Sequence, residues 1–211
     1  MKLLSLVVSA YNEEAGLETF YQTTREYGEA LAAKGWDYEF VFVNDGSRDR
    51  TGEILDDLAA RDATHVRVLH FSRNFGHEAA MTAGLDYATG EGLVFMDADL
   101  QHPPKYLADI VDQFDAGYQV ISMVRTENKT AGLLKNITSG GFYWLINRMS
   151  EVHLEANASD FFAITRPVQK VLMKNYREKV RFLRGYVQNV GFRKTTISYE
   201  AAPRVAGSSH Y

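Results

Sequence analysis

Short runs of apolar, often β-branched residues alternate with longer amphipathic stretches over the first part of the chain. Because these runs are apolar at nearly every position, they are typical of strands buried on both faces, and the stretches between them have helical periodicity. Such alternation predicts an α/β fold with a mostly parallel sheet. The predicted strands are Leu4–Ser9, Tyr38–Asn44, Val66–Ser72, Gly92–Asp97 and Tyr118–Val124, and the predicted helices are Glu14–Ala33, Thr51–Arg61, His77–Ala88 and Pro104–Ala116.

The pattern changes after Arg125, where Thr126–Lys129 is polar and predicts a loop. Leu133–Met149 carries many large apolar residues and predicts a helix, which we expect to lie at a membrane face, with an ordinary packed helix as the alternative. The remainder predicts strands at Asp160–Thr165 and Lys194–Tyr199, with helices at Pro167–Tyr176 and Phe182–Val190. At 211 residues the chain fits one domain. We divide that domain into halves, residues 1–125 and 126–211.

Composition excludes several classes of function. The chain has 27 acidic and 23 basic residues, for a net charge of −4, which argues against a nucleic-acid binder. It has no cysteine, which excludes disulfides and thiolate metal sites. No signal-peptide pattern opens the chain, and no apolar run approaches the roughly 18 residues that cross a bilayer. We therefore expect the chain as given to be soluble.

Polar residues follow the predicted strands where each strand ends. Four such clusters occur, Ser9–Glu14, Asn44–Ser47, Ser72–Glu78 and Asp97–Gln101. Taken singly, these residues are also typical of helix caps and turns. The carboxyl ends of parallel strands meet at one edge of a sheet, where α/β proteins bind ligands. The four clusters together therefore predict one site.

Asp97 and Asp99 are the most informative of these residues. Two neighbouring carboxylates repel each other and resist losing water, so something must compensate them. In an extended segment residues two apart face the same side, and a single helix cap cannot use both. A hard divalent cation, Mg²⁺ or Mn²⁺, can bind both, with the amide oxygen of Gln101 within reach. No G-x-G-x-x-G follows the first strand and no G-x-x-x-x-G-K-[ST] occurs, which disfavours a dinucleotide site.

The segments VVSAYNEE, FVFVNDGSRDRT, FSRNFGHEAAMTAGLDYATG and VFMDADLQHPP resemble, in order and spacing, family 2 glycosyltransferases of the GT-A fold. The resemblance is greater to the polyprenyl-phosphate sugar synthases, which include the dolichol-phosphate mannose synthase group and bacterial glucosyl-transferring relatives. Ala158-Ser159-Asp160-Phe161 and RFLRGYVQNVGFR extend it over nearly the whole chain. The resemblance implies a Rossmann-like, mostly parallel central sheet flanked by helices in a single domain.

The resemblance also implies roles for individual residues. Asp45 would hydrogen-bond the nucleobase of the donor. Asp160 is a candidate general base in catalysis, with orientation of the acceptor or a structural cap as alternatives. The arginines proposed to grip the acceptor phosphate, for which plain surface charge is the alternative, are Arg125, Arg181 and Arg184. The donor-binding residues would be Ser9, Ala10, Tyr11, Glu13, Asp45, Asp97 and Ala98, and the metal ligands would be Asp97, Asp99 and Gln101, with Asp99 also catalytic through the metal.

The sequence departs from these relatives in three ways. Ser159-Asp160-Phe161-Phe162 stands where they commonly have Gly-Asp-Phe-Arg, which puts part of the acceptor site in doubt. His210 stands where a lysine usually precedes the final tyrosine. Many relatives continue into membrane helices, so we expect a C-terminal membrane region to be missing. The resemblance thus implies a juxtamembrane tail and action at the cytoplasmic face of the membrane.

The function implied is metal-dependent, inverting transfer of a hexose from a nucleotide-sugar, with UDP-glucose preferred, to a polyprenyl phosphate. That nucleophile is already an anion, so a strong general base is less necessary than for a hydroxyl. One alternative is a soluble glycosyltransferase acting on a saccharide or protein hydroxyl, and another is a catalytically silent module that binds nucleotide-sugar. A nucleotidyltransferase is a weaker third. The sequence leaves open the sugar, the choice of Mg²⁺ or Mn²⁺ and whether the chain forms a homo-oligomer.

Overall fold

The computed structural model describes residues 1–126, 158–176, 178 and 182–201. The strands are β1 Lys2–Ala10, β2 Trp36–Asn44, β3 Val66–His70, β4 Gly92–Asp97, β5 Val120–Arg125, β6 Ala158–Thr165 and β7 Lys194–Tyr199. The helices are α1 Leu17–Ala30, α2 Thr51–Arg61, α3 His77–Tyr87, α4 Leu107–Asp115, α5 Arg166–Asn175 and α6 Leu183–Asn189. Short 3₁₀ turns at Leu31–Lys34 and Pro104–Tyr106 follow α1 and precede α4.

The strands form a single seven-stranded sheet in the order β3-β2-β1-β4-β6-β5-β7. β1 pairs in parallel with β2 and β4, β2 with β3, and β5 with β7. β6 is antiparallel to both of its neighbours, β4 and β5. The predicted α/β fold with a mostly parallel sheet is therefore confirmed, and the antiparallel strand β6 between β4 and β5 is an addition that the sequence did not predict.

Both faces of the sheet are buried, as the continuous apolar runs predicted. In β4, Val94 and Met96 belong to one core cluster and Leu93 and Phe95 to the other, because alternate side chains point to opposite faces. α1, α2 and α4 pack on the first face, and α3, α5 and α6 pack on the second. The described helices thus cover both faces of the sheet.

Most predicted boundaries lie within one to three residues of the observed ones. β3 ends at His70 instead of Ser72, because its partner β2 ends at Asn44, the residue that pairs with His70. α1 begins at Leu17 instead of Glu14, since the main chain and carboxylate of Glu14 hydrogen-bond the loop after β2.

The helix predicted at Leu133–Met149 lies outside the described residues. Among the residues that the structure describes, no helix is both long enough and apolar enough to span a bilayer.

Candidate active site

The sheet order brings the four predicted polar clusters to one edge, because they follow the neighbouring strands β3, β2, β1 and β4. β1 lies between β2 and β4, with Ser9 in register with Asp97 and Ala10 in register with Asn44. Because these strands are parallel, the loops that follow them leave the same edge of the sheet. The prediction of one site at this edge agrees with the topology.

The carboxylate of Asp97 lies among hydroxyl and imidazole groups. The Ser9 hydroxyl donates to Asp97 Oδ1 at 3.3 Å and is 3.0 Å from His77 Nδ1. His77 Nδ1 is itself 3.6 Å from Asp97 Oδ1. His77 begins α3, so the start of that helix is brought against the end of β4. The sequence included His77 in a polar cluster but gave it no role.

The buried side chain of His102 hydrogen-bonds the main chain of Asp97. Its Nδ1 accepts the backbone N–H of Asp97 at 3.0 Å, so the neutral ring carries its proton on Nε2. The ring is buried and stacks on Phe161 with ring centroids 5.0 Å apart, and the Tyr199 ring meets it edge-on. Burial lowers the pKa of His102, although the nearby carboxylates oppose that shift. The only signal for this residue in the sequence was its place in the QHPP segment.

Asp99 is placed by a turn and not by the strand. β4 ends at Asp97, and Asp99 Oδ1 accepts the backbone N–H of Gln101 at 2.9 Å. The argument from strand alternation therefore does not apply to this pair, because Asp99 lies beyond the extended segment. Leu100 has a φ of 63°, a left-handed conformation that costs a non-glycine residue roughly 1–2 kcal/mol. Such strain is common at functional sites.

The described residues contain no group of three or more histidine or acidic side chains that would hold a metal ion by themselves. Asp97 and Gln101 are partly exposed at the edge, whereas Asp99 is 6% exposed. Carboxylate and amide oxygens suit a hard cation whose other ligands come from phosphate and water. The donor set therefore fits Mg²⁺ or Mn²⁺ bound together with a diphosphate.

The structure shows a contact for Asp45 within the protein, and the hydrogen bond to the nucleobase that the resemblance implied stays a prediction. Asp45 follows β2 directly and is 0% exposed. Its Oδ1 accepts the backbone N–H of Phe75 at 2.7 Å, and its Oδ2 accepts that of Gly76 at 3.0 Å. Each carboxylate oxygen thus accepts one main-chain N–H group of the protein. Asp45 holds the loop between β3 and α3 against the end of β2.

Gly46 brings the same loop still closer. A Cβ at this position would lie 2.2 Å from the carbonyl carbon of Arg73 and 2.6 Å from the backbone nitrogen of Asn74. The φ of Gly46 is 66°, which also favours glycine. The Asp45-Gly46 pair therefore fixes residues 71–76, the loop that carries Phe75, which is 50% exposed, and Arg73, whose guanidinium lies 4.0 Å from the Phe75 ring centroid.

The loops after β1 and β2 are joined by side chains. Asn12, with a φ of 55°, accepts the N–H of Arg48 and donates its own N–H to Ser47 Oγ. The N–H of Glu13 donates to Thr51 Oγ1 at 2.8 Å. Of the residues assigned to the donor, Tyr11, Glu13 and Asp97 are partly exposed here, whereas four are buried: Ser9, Ala10, Asp45 and Ala98.

β6 brings Asp160 to the same edge because it runs antiparallel to β4. Phe162 pairs with Phe95. Asp97 comes two residues after Phe95 and Asp160 two residues before Phe162, so both lie on the same side of that pair. Arg184 of α6 places its Nη1 3.4 Å from Asp160 Oδ1. Two residues predicted to act separately therefore form an ion pair.

The other two predicted arginines differ in what the structure describes. Arg125 ends β5 and is exposed, and the neighbouring strand position on β7 is Tyr199. Arg181 lies outside the described residues. Of the residues predicted for the acceptor, the structure therefore describes Arg125, Asp160 and Arg184, and it brings the last two into contact.

Comparison with known proteins agrees with this arrangement. Residues 5–172 match the family model described as Glycosyl transferase family 2. The chain is 40% identical over 207 residues to the uncharacterized glycosyltransferase YkcC of Bacillus subtilis, covering 98% of this chain and 62% of that protein. It is 38% identical over 208 residues to the prophage bactoprenol glucosyl transferase homolog of Escherichia coli, covering 99% and 66%. The chain thus spans about two thirds of the length of these relatives.

Solved structures share the fold at low sequence identity. The mannosyltransferase PcManGT from Pyrobaculum calidifontis, in complex with GDP-Man and Mn²⁺, superposes with a TM-score of 0.64 at 19% identity, covering 97% of this chain and 58% of that one. Glucosyl-3-phosphoglycerate synthase from Mycobacterium tuberculosis, in complex with Mn²⁺, UDP-glucose and phosphoglyceric acid, gives 0.60 at 18% identity, covering 98% and 73%. These likenesses confirm the predicted GT-A fold.

Proposed function

We propose, from the premise that the chain belongs to glycosyl transferase family 2, that it transfers a hexose from a nucleotide-sugar to a polyprenyl phosphate. UDP-glucose is the proposed donor. The observation that carries the proposal is the meeting of Asp97, Asp160 and Arg184 at one edge of the sheet. The similarity to bactoprenol glucosyl transferases supports the choice of sugar and acceptor.

The donor side of the site would bind the nucleotide-sugar through the loops after β1, β3 and β4. Tyr11 and Glu13 are the partly exposed residues assigned to the nucleoside. Asp45 contributes indirectly, by fixing the loop of residues 71–76. Asp97, Asp99 and Gln101 would hold Mg²⁺ or Mn²⁺. The cation would neutralise the charge of the departing diphosphate.

In the proposed reaction a phosphate oxygen of the acceptor forms a bond to the anomeric carbon of the sugar. The bond from that carbon to the nucleoside diphosphate breaks, the diphosphate leaves with the electron pair, and the configuration inverts. Because the phosphate is already an anion, no proton has to be removed from the nucleophile. Asp160 and Arg184 would orient the acceptor, with the guanidinium binding the phosphate oxygens.

We further propose that the acceptor is reached at the cytoplasmic face of a membrane, because a polyprenyl phosphate is a lipid. The predicted apolar helix at Leu133–Met149 would supply the surface contact. Co-sedimentation of the chain with vesicles that contain anionic lipid tests this part of the proposal. Absence of binding, also in a protein extended to the length of its relatives, would contradict it.

The transfer reaction is tested with UDP-glucose and a short-chain polyprenyl phosphate, with the matching polyprenol as control. Transfer to the phosphate alone, abolished by EDTA, is the expected result. A charge-assisted contact to phosphate contributes roughly 1.5–3 kcal/mol, so Arg184→Ala should lower kcat/KM for the lipid at least about tenfold.

Two other outcomes would favour the alternatives. Full activity in Arg184→Ala together with complete loss in Asp160→Asn indicates a general base and therefore a hydroxyl acceptor. Binding of UDP-glucose without hydrolysis or transfer to any acceptor indicates a silent binding module.

A further inference from the structure

Glu78, the second residue of α3, connects two helices at the acceptor side of the site. One of its carboxylate oxygens accepts the backbone N–H of Leu183 at 2.9 Å. Leu183 is the first residue of α6, and its side chain is buried in the same core cluster as Met81 and Leu85 of α3. The carboxylate therefore joins the start of α6 to the start of α3 by a hydrogen bond, in addition to the packing of their side chains.

The carboxylate of Glu78 is in an unfavourable environment for a charge. Burial raises the pKa of Glu78; the hydrogen bond from Leu183 opposes this shift, the Asp160 carboxylate adds to it, and His77 and Arg184 oppose it. An apolar side chain would fill the same space without the cost of placing a second acid near Asp160. This cost indicates that the acceptor oxygen of Glu78 has a use beyond filling space.

Arg184 follows the anchored residue directly. Its Nη1 lies 3.4 Å from Asp160 Oδ1, and its guanidinium lies 5.2 Å from the ring centroid of Phe182. The Cα of Arg184 is one peptide unit from the N–H that Glu78 binds. Any displacement at Leu183 therefore moves the base of the Arg184 side chain, and an error of about 1 Å in a positioning group can lower a rate by orders of magnitude.

We infer that Glu78 is a positioning residue for the acceptor. By binding the N–H of Leu183 it fixes the start of α6, and so holds the Arg184 guanidinium beside Asp160 before the acceptor phosphate arrives. A group placed in advance spends less of the binding free energy on ordering itself. The inference rests on the proposed function, because that function gives Arg184 its contact with the phosphate.

The test compares three variants of the 211-residue chain in the transfer assay with UDP-glucose and a short-chain polyprenyl phosphate. Glu78→Ala removes the acceptor oxygen and should raise KM for the polyprenyl phosphate roughly tenfold. KM for UDP-glucose should not change. Glu78→Gln keeps an oxygen that can accept the Leu183 N–H and should stay within about twofold of the parent protein. Glu26→Gln, on the exposed face of α1, controls for the loss of one negative charge.

A double-mutant cycle separates positioning from general destabilisation. If Glu78 acts through Arg184, Glu78→Ala should have no further effect on KM in the Arg184→Ala background. A full additional effect there overturns the inference, and so does an unchanged KM in Glu78→Ala alone. An unchanged KM in Arg184→Ala instead removes the proposed acceptor site, which is a failure of the proposed function.

Melting temperatures show whether each variant is folded. If Glu78→Ala does not fold, Glu78→Asp takes its place, because it keeps the charge but shortens the side chain by one methylene. If neither variant folds, Glu78 is a residue required for the fold and the inference is overturned.

Discussion

Asp45 provides the sharpest test of how the donor side of the site is built. If the carboxylate holds the loop of residues 71–76, its replacement should destabilise the ligand-free protein. If it contacted a base, its replacement should weaken nucleotide binding and leave the free protein unchanged. The variants are Asp45→Asn, which keeps one acceptor oxygen, and Asp45→Ala, which keeps none.

The magnitude follows from the two hydrogen bonds. Asp45 accepts the N–H groups of Phe75 and Gly76, and a hydrogen bond to a charged group contributes roughly 1.5–3 kcal/mol. Asp45→Asn turns an amide donor towards one of these N–H groups, so we expect a loss of about 1.5–3 kcal/mol in the free energy of unfolding. Asp45→Ala loses both bonds, but the loop can move to water. We therefore expect about 2–4 kcal/mol, below the sum of the two contributions.

Urea denaturation of the ligand-free protein measures these losses, and amide hydrogen exchange at Phe75 and Gly76 locates them. Asp57→Asn is the matched control, because Asp57 is exposed on α2 and surface substitutions usually change stability by about 0.5 kcal/mol or less. Asp45→Asn could instead leave stability and amide hydrogen exchange unchanged and weaken the binding of UDP. That result would refute the role of Asp45 in holding the loop of residues 71–76 and would favour its contact with the nucleobase.

Three further predictions concern stability and metal binding. Glu39→Ala should cost about 3–5 kcal/mol in urea denaturation, because the buried Glu39 carboxylate accepts the hydroxyl of Ser5 and the N–H and hydroxyl of Thr89, and each hydrogen bond to a charged group contributes roughly 1.5–3 kcal/mol; a loss below about 1 kcal/mol would contradict this. Burial and the hydrogen bond to Asp62 raise the pKa of Tyr21 to about 12, so the stability it provides is complete below pH 10 and is lost as the pH rises towards 12. The difference in stability between the parent protein and Tyr21→Phe should therefore shrink over that range, and a constant difference would contradict the assignment. Asp99→Asn should leave the fold intact and reduce the metal dependence of UDP binding, measured by calorimetry with and without EDTA; undiminished metal dependence would remove Asp99 from the metal site.

The helices and strands could be predicted well because each depends on the local periodicity of apolar residues. β4 was predicted with its observed bounds, since Leu93–Met96 is apolar and stops at Asp97. The order of the strands in the sheet could not be predicted from the sequence. The insertion of β6 between β4 and β5 depends on pairs such as Phe95 with Phe162, which are far apart in the chain. No local pattern distinguishes such a strand from a parallel one.

In the site, too, the features that depend on neighbouring residues could be predicted, whereas contacts between distant segments could not. The four polar clusters were predicted because each follows a strand, and those four strands are neighbours in the sheet. The sequence could not predict how Asp45 is used, because its partners, Phe75 and Gly76, lie about 30 residues away in another loop. The stack of His102 on Phe161 and the bond from Leu183 to Glu78 likewise join distant segments.

The position of β6 has a consequence for the order in which the protein can assemble during synthesis. The first four strands can pair with one another once residue 97 has emerged from the ribosome, but the outer edge of β4 then has no neighbour. β5 is synthesised next and cannot occupy that edge as in the final sheet, because β6 must lie between them. About 70 residues separate Asp97 from Thr165, so a ribosome needs several seconds to deliver the missing strand. During that interval the nascent chain presents an apolar strand with unpaired backbone groups, the surface through which chains aggregate.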